Sequence, residues 1–257
     1  MASLLITGLN GTLAPKLAAL AQERGLRPLG WDRVLLDPQD LAAGQAWLDA
    51  RQPDAIAHLA MGGADWAENL AGWAARNKRP FLFTSTAMVF DQLPDGPHRP
   101  GDVRTAKDDY GRYKIACEDA VRAAHPAATI TRIGWQIAAD GRGNNMLAAL
   151  DEWQRREGRV GASRAWIPAC SFMEDTAAAL LDLLLAKTPS AGPVHLDSNA
   201  REGHSFDRIA AALRERFERS DWRIEVHEDY RHDQRLAGDE EGWMPDLSMR
   251  LPALLRR

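Results

Sequence analysis

Apolar and polar positions along the first half of the chain alternate between two periods. Ser3 to Thr7 is a short apolar run ending in a glycine turn, and Leu13 to Arg24 then repeats apolar residues at Leu17, Leu20 and Ala21, a helical spacing. Arg27 to Trp31 predicts a second strand, and Pro38 to Arg51 a second helix with Pro38 near its start. Asp54 to Ala60 is a third strand, Ala64 to Asn77 a third helix and Pro80 to Ser85 a fourth strand. A loop rich in Pro, Gly and Asp, about Asp91 to Val103, precedes a long helix from Asp108 to Ala124, and Ala127 to Trp135 makes a fifth strand. Strands separated by helices are βαβ units, so the expected fold class is α/β, a Rossmann-type doubly wound parallel sheet.

The second half is less regular. Asn145 to Glu157, Met173 to Lys187 and Ser205 to Arg219 predict helices, the last with Ser205 as N-cap. Pro193 to Leu196 and Trp222 to His227 predict strands. No linker or composition break divides the chain. The expectation is one dinucleotide-binding domain over 1–257, with a small interleaved α/β substrate-binding lobe built from about 136–175 and 197–257.

Composition then narrows the function classes. The 257 residues are 45% hydrophobic and 26% charged, enough to bury a large core without disulfides or metals as staples. Thirty-two Lys and Arg against 36 Asp and Glu leave a net charge of -4, so there is no basic excess to displace counterions from nucleic acid. Two cysteines, Cys117 and Cys170, make no disulfide framework and suit a reduced, cytoplasmic protein. No apolar run reaches membrane-spanning length, and the first residues lack the basic start of a signal peptide. Metal-ligand spacing among His and Cys is missing, so no metal is expected; His227 and His232 fall in a charged stretch and read as solvated. Cys117 reads as a small core residue.

Three elements carry chemistry. Thr7-Gly8-Leu9-Asn10-Gly11-Thr12-Leu13-Ala14 is a TGxxGxxA turn between the first strand and first helix, where a dinucleotide pyrophosphate binds free N–H groups. Gly8 permits the turn, Gly11 lets the backbone approach the phosphates, and Asn10, Thr12 and Leu13 complete the segment. The same segment also suits a tight βα turn without a ligand. Asp32, after the second strand, can accept from the adenosine ribose and favours NAD; its neighbour Arg33 can pair with a 2′-phosphate and tips the reading towards NADPH. Asp37 suits either an adenine contact or the cap of the second helix. Tyr110 and Lys114 stand at i and i+4 on one helix face. A lysine one turn away is expected to pull the phenol below its ordinary value near 10, so that Tyr110 can protonate a carbonyl oxygen while hydride arrives at carbon. Lys114 can also hold the nicotinamide ribose, so Tyr110 and Lys114 count among the cofactor-binding residues as well; Tyr113 lacks that spacing. Thr84, Ser85 and Thr86 end the fourth strand at the carboxyl edge of the sheet, where one hydroxyl can hold a substrate carbonyl beside Tyr110.

Together these elements resemble the extended short-chain dehydrogenase/reductases, and within them the dTDP-4-dehydrorhamnose reductase family. Ser85-Thr86-Ala87-Met88-Val89-Phe90-Asp91, Tyr110-Gly111-Arg112-Tyr113-Lys114 through Glu118, Arg132-Ile133-Gly134-Trp135 and Gly143 through Met146 are similar to that family's STDYVFDG, YGRSKLAGE, RTSWVYG and GNNF. The likeness continues through Gly192 to Leu196 and Met244 to Ser248. It implies a catalytic triad of Thr86, Tyr110 and Lys114, and a segment Leu59, Ala60 and Met61 passing behind an NADP or NAD cofactor. It further implies Trp135 against a sugar substrate, with Asn145 and Trp166 as further contacts. The substrate it implies is a nucleotide sugar or related small molecule, and a homodimer is compatible with it. The departures lie on the substrate side. Ala87-Met88 replaces Asp-Tyr, His58 replaces Asn, Met244-Pro245 replaces Arg-Pro, and Ala165 to Ser171 lacks the family's Asp-Gln pair, which makes Arg164 and Trp166 candidate contacts in an altered loop. An epimerase or dehydratase of the superfamily remains an alternative, as does a non-catalytic nucleotide-binding subunit like the methionine adenosyltransferase beta subunit. The intact triad speaks for catalysis, and the lack of an extra acid or base at Ala87 and Met88 speaks for a reductase.

Overall fold

The computed structural model describes all residues except 92, 141, 142, 144, 188–191, 239–241 and 257. In chain order the elements are β1 (Ser3–Thr7), α1 (Leu13–Glu23), β2 (Arg27–Gly30), α2 (Leu41–Arg51), β3 (Ala55–His58), α3 (Ala64–Arg76), β4 (Phe81–Thr86), α4 (Asp109–Ala124), β5 (Thr129–Ile133), β6 (Trp135–Ile137), α5 (Met146–Glu157), β7 (Val160–Ser163), β8 (Trp166–Ile167), β9 (Cys170–Phe172), α6 (Met173–Leu185), β10 (Val194–Leu196), α7 (Phe206–Arg216), β11 (Ile224–His227), β12 (His232–Asp233) and α8 (Leu247–Arg250). Short 3-10 turns at Ala87–Phe90 and Pro252–Leu255 complete them.

Six strands form a parallel sheet in the order β10-β5-β4-β3-β1-β2. The chain builds outward from β1 to β2 and then returns to lay β3 on the other side of β1. That reversal opens a crevice beyond the carboxyl ends of β1 and β3, the place where doubly wound sheets take ligands. Because both faces are covered, β1, β3 and β4 are buried at every position rather than alternately. One face packs α1 and α6 through Ala14, Leu17, Leu180 and Leu184. The other packs α2, α3 and α4 around Trp31, Trp66, Trp73 and Phe83, with Cys117 fully buried among them.

The remaining elements gather around a separate apolar cluster that includes Met146, Leu150, Phe206, Leu213 and Trp222. Three two-residue to four-residue parallel ladders run through it, pairing β6 with β9, β7 with β11 and β8 with β12. Among the described residues no helix is long and apolar enough to cross a membrane.

Four expectations are corrected. The fifth strand does not run unbroken to Trp135. It divides at Gly134, where a Cβ would lie 2.2 Å from the Ala169 carbonyl oxygen, and β6 leaves the main sheet to pair with β9. The second helix starts at Leu41, because Asp40 caps it by accepting from the Ala43 amide at 2.9 Å. Asp37 instead accepts from the Gln39 amide in a local turn. His232 is buried, not solvated: its ring bonds the Tyr230 hydroxyl at 2.8 Å and the Leu93 carbonyl at 3.1 Å.

Candidate active site

The carboxyl edge of the sheet carries two neighbouring clefts. The first, about 660 Å³, is lined by residues 8–11, 30–34 and 59–61, which are the loops leaving β1, β2 and β3. Gly8 takes φ +85°, and a Cβ there would sit 3.1 Å from the Ala60 amide nitrogen. The turn closes with the Gly11 amide donating to the Gly8 carbonyl at 2.8 Å. This is a glycine cradle that a side chain would fill, directly before the start of α1, so its residues fit a pyrophosphate. Gly8, Asn10, Gly11, Asp32, Arg33, Leu59, Ala60 and Met61 all line the cleft; Thr12, the residue before α1, and Leu13, its first residue, do not.

The floor of this cleft is held by Thr7, which the sequence reading left without a role. Its hydroxyl oxygen accepts from the Leu59 amide at 3.0 Å and the Ala60 amide at 3.1 Å. Its own hydrogen therefore goes to His58 Nδ1, 2.8 Å away. The His58 proton then sits on Nε2, and burial pushes the imidazole down to about 3, with the Lys114 and Arg33 charges acting in the same direction. The ring is neutral, edge-on to Trp66 at a centroid distance of 4.6 Å. Asp32 accepts from the Val34 amide at 2.8 Å. The Arg33 guanidinium lies over Trp66, 5.1 Å from the ring centroid, and donates to the Met61 carbonyl across the cleft. Tyr113 adds a second tie, its hydroxyl accepting from the Gly62 amide at 2.9 Å.

The second cleft, about 570 Å³, joins Thr86, Ala87, Met88, Asp91 and Tyr110 to Gly134, Trp135, Gln136, Trp166, Pro168, Tyr230 and Gln234. The first group comes from the end of β4 and the start of α4, and the second from the lobe. Aromatic faces dominate its far wall. Trp135 and Trp166 are stacked at 6.1 Å, and Tyr230 meets Trp166 edge-on at 5.4 Å. The Trp166 indole donates to Gln234 Oε1 at 2.7 Å.

Tyr110 is 41% exposed and lines this cleft together with Thr86. The structure corrects the expected direction of its titration. Burial raises the phenol above its ordinary value, the nearby Thr86 hydroxyl opposes this, and the Asp108 carboxylate adds to the rise. Lys114 does not offset it, because its ammonium points into the fold: Nζ donates to the Thr84 carbonyl at 2.9 Å and lies 4.8 Å from the Phe83 centroid. Burial brings Lys114 down to about 8. Burial also raises Asp91, and nearby Asp108 reinforces the shift.

The helix bearing Tyr110 and Lys114 is fixed to the sheet by a buried ion pair. Arg132 on β5 grips Glu118 on α4 with two bonds, at 3.0 and 2.8 Å, and donates to the Pro100 carbonyl at 3.0 Å. Both side chains are 3% exposed. Burial alone would raise the Glu118 carboxyl, but the Arg132 bonds and charge hold it below the usual range.

Of the expected substrate residues, Trp135, Trp166 and Thr86 meet in this cleft. Asn145 does not line it; it is buried and caps α5, accepting from the Ala148 amide at 3.0 Å. Arg164 faces solvent and pairs with Glu228 at 3.7 Å. Gln136, Tyr230, Gln234, Met88 and Asp91 were not singled out as contacts. Met88 and Asp91, near Thr86, and Gln136, next to Trp135, stood beside residues of the matching motifs; Tyr230 and Gln234 had no such signal.

Comparison with known proteins agrees with this layout. The family model described as the RmlD substrate binding domain matches residues 63–221. A dTDP-4-dehydrorhamnose reductase of Mycobacterium tuberculosis is 30% identical over 200 residues, covering 70% of this chain and 65% of that protein. The aligned part thus spans less than two thirds of that relative. A dTDP-4-dehydrorhamnose reductase from Bacillus anthracis, in complex with NADP, superimposes with a TM-score of 0.82 at 17% identity over 99% of both chains. A UDP-glucose 4-epimerase from Thermotoga maritima, with UDP-glucose, gives 0.76 at 15% identity over 98% of this chain and 96% of that one. These structural likenesses establish the fold, which reductases and epimerases share. The family match is more specific, since it runs from the loop after β3 through Tyr110, Lys114, Trp135 and Trp166. The chain belongs to the RmlD substrate-binding domain family.

Proposed function

We propose that the protein is an NAD(P)-dependent reductase of a keto group on a nucleotide sugar or related small molecule. The observation that carries this reading is that Thr86 and Tyr110 together line an aromatic cleft, beside the glycine-turn cleft. Gly8, Gly11 and the start of α1 would hold the pyrophosphate, Asp32 and Arg33 the adenosine end, and Leu59, Ala60 and Met61 the segment behind the ring. The dinucleotide supplies hydride when bound. Thr86 orients the substrate carbonyl, and Tyr110, kept protonated by its raised pKa, gives its proton to the carbonyl oxygen as the carbon is reduced. Lys114 gives one ammonium hydrogen to the Thr84 carbonyl and would offer its others to the nicotinamide ribose. NADPH is the favoured form, supported by Arg33 at the cleft and by the NADP in the Bacillus anthracis neighbour.

Tyr110→Phe tests the reading. It keeps the ring and removes the acidic hydroxyl, so turnover of a 4-keto nucleotide sugar, followed as NADPH oxidation, should fall about 10²- to 10⁴-fold. NADPH binding should persist. A variant that keeps wild-type turnover removes Tyr110 from the reaction, and a wild-type chain that binds neither NADPH nor NADH removes the reading as a whole.

A further inference from the structure

The far wall of the aromatic cleft carries a tyrosine–histidine pair that the reduction does not use. Tyr230 is 44% exposed and lines the cleft, while His232, two residues on, is buried. The His232 ring spans two oxygens: Nδ1 lies 2.8 Å from the Tyr230 hydroxyl, and Nε2 lies 3.1 Å from the Leu93 carbonyl. A carbonyl oxygen can only accept, so Nε2 carries a hydrogen and donates to Leu93. In the neutral ring Nδ1 then holds a lone pair, and the phenol donates to it. The pair has the layout of an activated hydroxyl: an O–H on a residue of the cleft, a base within hydrogen-bond reach, and a third group that orients the base.

Two features set this pair apart from a structural tie. The chain around it is already anchored by other bonds: the His232 amide donates to the Ala165 carbonyl at 3.1 Å, and the Ser163 hydroxyl donates to the Tyr230 carbonyl at 2.7 Å. Proton transfer within the pair would also leave every hydrogen bond in place. Once His232 has taken the phenol proton, Nδ1–H donates back to the Tyr230 oxygen and Nε2–H still donates to Leu93. The imidazolium so formed lies within reach of the Asp91 carboxylate, which lines the same cleft and whose charge acts on both rings. Burial, and then the Asp91 charge, raise the Tyr230 phenol, so at rest it keeps its proton and acts only by handing it on. Ala87 and Met88 supply no second acid or base beside Thr86; this pair supplies one on the far wall.

We propose that the protein has a second activity: Tyr230, backed by His232, exchanges the proton on a carbon next to the keto group, so that the ketone is enolised in the cleft where it is reduced. The proposal rests on the keto-reductase reading above, because Thr86 and Tyr110 hold the carbonyl for both steps. The C–H bond breaks and its electron pair forms a carbon–carbon double bond, while the π pair of the carbonyl moves onto oxygen. Tyr230 gains the proton from carbon as its own passes to His232 Nδ1, and the Thr86 and Tyr110 hydroxyls donate to the enolate oxygen. Reversal returns a proton to the carbon, and because Tyr230 is partly exposed that proton can come from solvent. The step is not a redox step, so it needs no oxidant or reductant. Its substrate is a ketone whose neighbouring carbon carries hydrogen.

The experiment follows deuterium incorporation by proton NMR. The probe is a dTDP-4-keto-6-deoxyhexose in D2O with NADP+, which fills the cofactor cleft and brings no hydride. Wild type should replace hydrogen on a carbon beside the carbonyl faster than buffer alone, in proportion to the protein added. Tyr230→Phe keeps the ring against Trp166 and removes the relay, so exchange should fall about 10²- to 10⁴-fold. His232→Gln can still accept from the phenol but cannot take up its proton, and exchange should fall to a similar extent. NADPH oxidation by the same variants should change far less, a split that a purely structural role would not give. Melting curves report whether each variant folds, and Tyr230→Phe decides alone if His232→Gln does not. No incorporation by wild type above buffer overturns the proposal. So does wild-type exchange in a folded variant, or exchange and reduction falling together. Exchange without NADPH oxidation supports the relay and removes the reductase reading; NADPH oxidation without exchange does the reverse.

Discussion

Thr7→Val is the sharpest test of how the cofactor cleft is held open. Valine fills the same volume, so the perturbation is the loss of one hydroxyl at a fully buried site. That hydroxyl satisfies three groups, the Leu59 and Ala60 amides and His58 Nδ1. Each buried group left unpaired costs about 1–3 kcal/mol, and relaxation of the 59–61 loop lowers the sum, so a loss of about 3 kcal/mol is the working figure. For a chain of this size 1 kcal/mol moves the melting temperature by about 2–4 °C, which gives a fall of about 6–12 °C. Thermal unfolding by circular dichroism measures it. The same loop lines the glycine-turn cleft, so NADPH affinity, followed by fluorescence titration, should weaken as well. Thr7→Ser keeps the hydroxyl and should behave nearly as wild type. If Thr7→Val melts within about 2 °C of wild type and binds NADPH unchanged, the loop is held by other contacts and the reasoning fails.

Arg33→Ala should weaken NADPH more than NADH in parallel titrations; equal weakening would make Arg33 only the clasp to the Met61 carbonyl. The Lys114 ammonium, lowered to about 8 from 10.5, is charged below that pH in the folded chain and loses its charge as pH rises through it. Reductase activity should therefore fall through about pH 8. Stability should instead rise between 8 and 10.5, where the folded chain has shed a proton that the unfolded chain still binds. Activity and melting temperature measured across pH 7–10 should thus move in opposite directions, and a parallel fall of both would assign the limb to another group. Glu118→Ala strands the buried Arg132 charge and should cost about 3–5 kcal/mol in chemical denaturation, whereas the double variant Glu118→Leu with Arg132→Met should recover most of it.

The sequence by itself determined the layered sheet and the position of its ligand edge. Both depend on local periods and on turn chemistry. Apolar runs at Ser3–Thr7 and Phe81–Thr86, helical spacing in α1 and α3, and the glycine turn after β1 are written in consecutive residues. The spacing of Tyr110 and Lys114 is likewise local, and it correctly put them on α4. It did not reveal that Lys114 turns inward to Thr84, because side-chain direction depends on what the sheet offers thirty residues away. The substrate lobe was the least legible part. Its ladders are as short as two residues, too brief for any period, and β8 meets β12 across 66 positions of sequence. Only the folded chain brings Gln136, Trp166 and Gln234 to one cleft and commits the Gln234 carbonyl to the Trp166 indole, while the Gln136 carbonyl has no partner among the described residues. Hydrogen-bond satisfaction is a property of three-dimensional neighbours, and no pattern along the chain encodes which polar atom will be left without one.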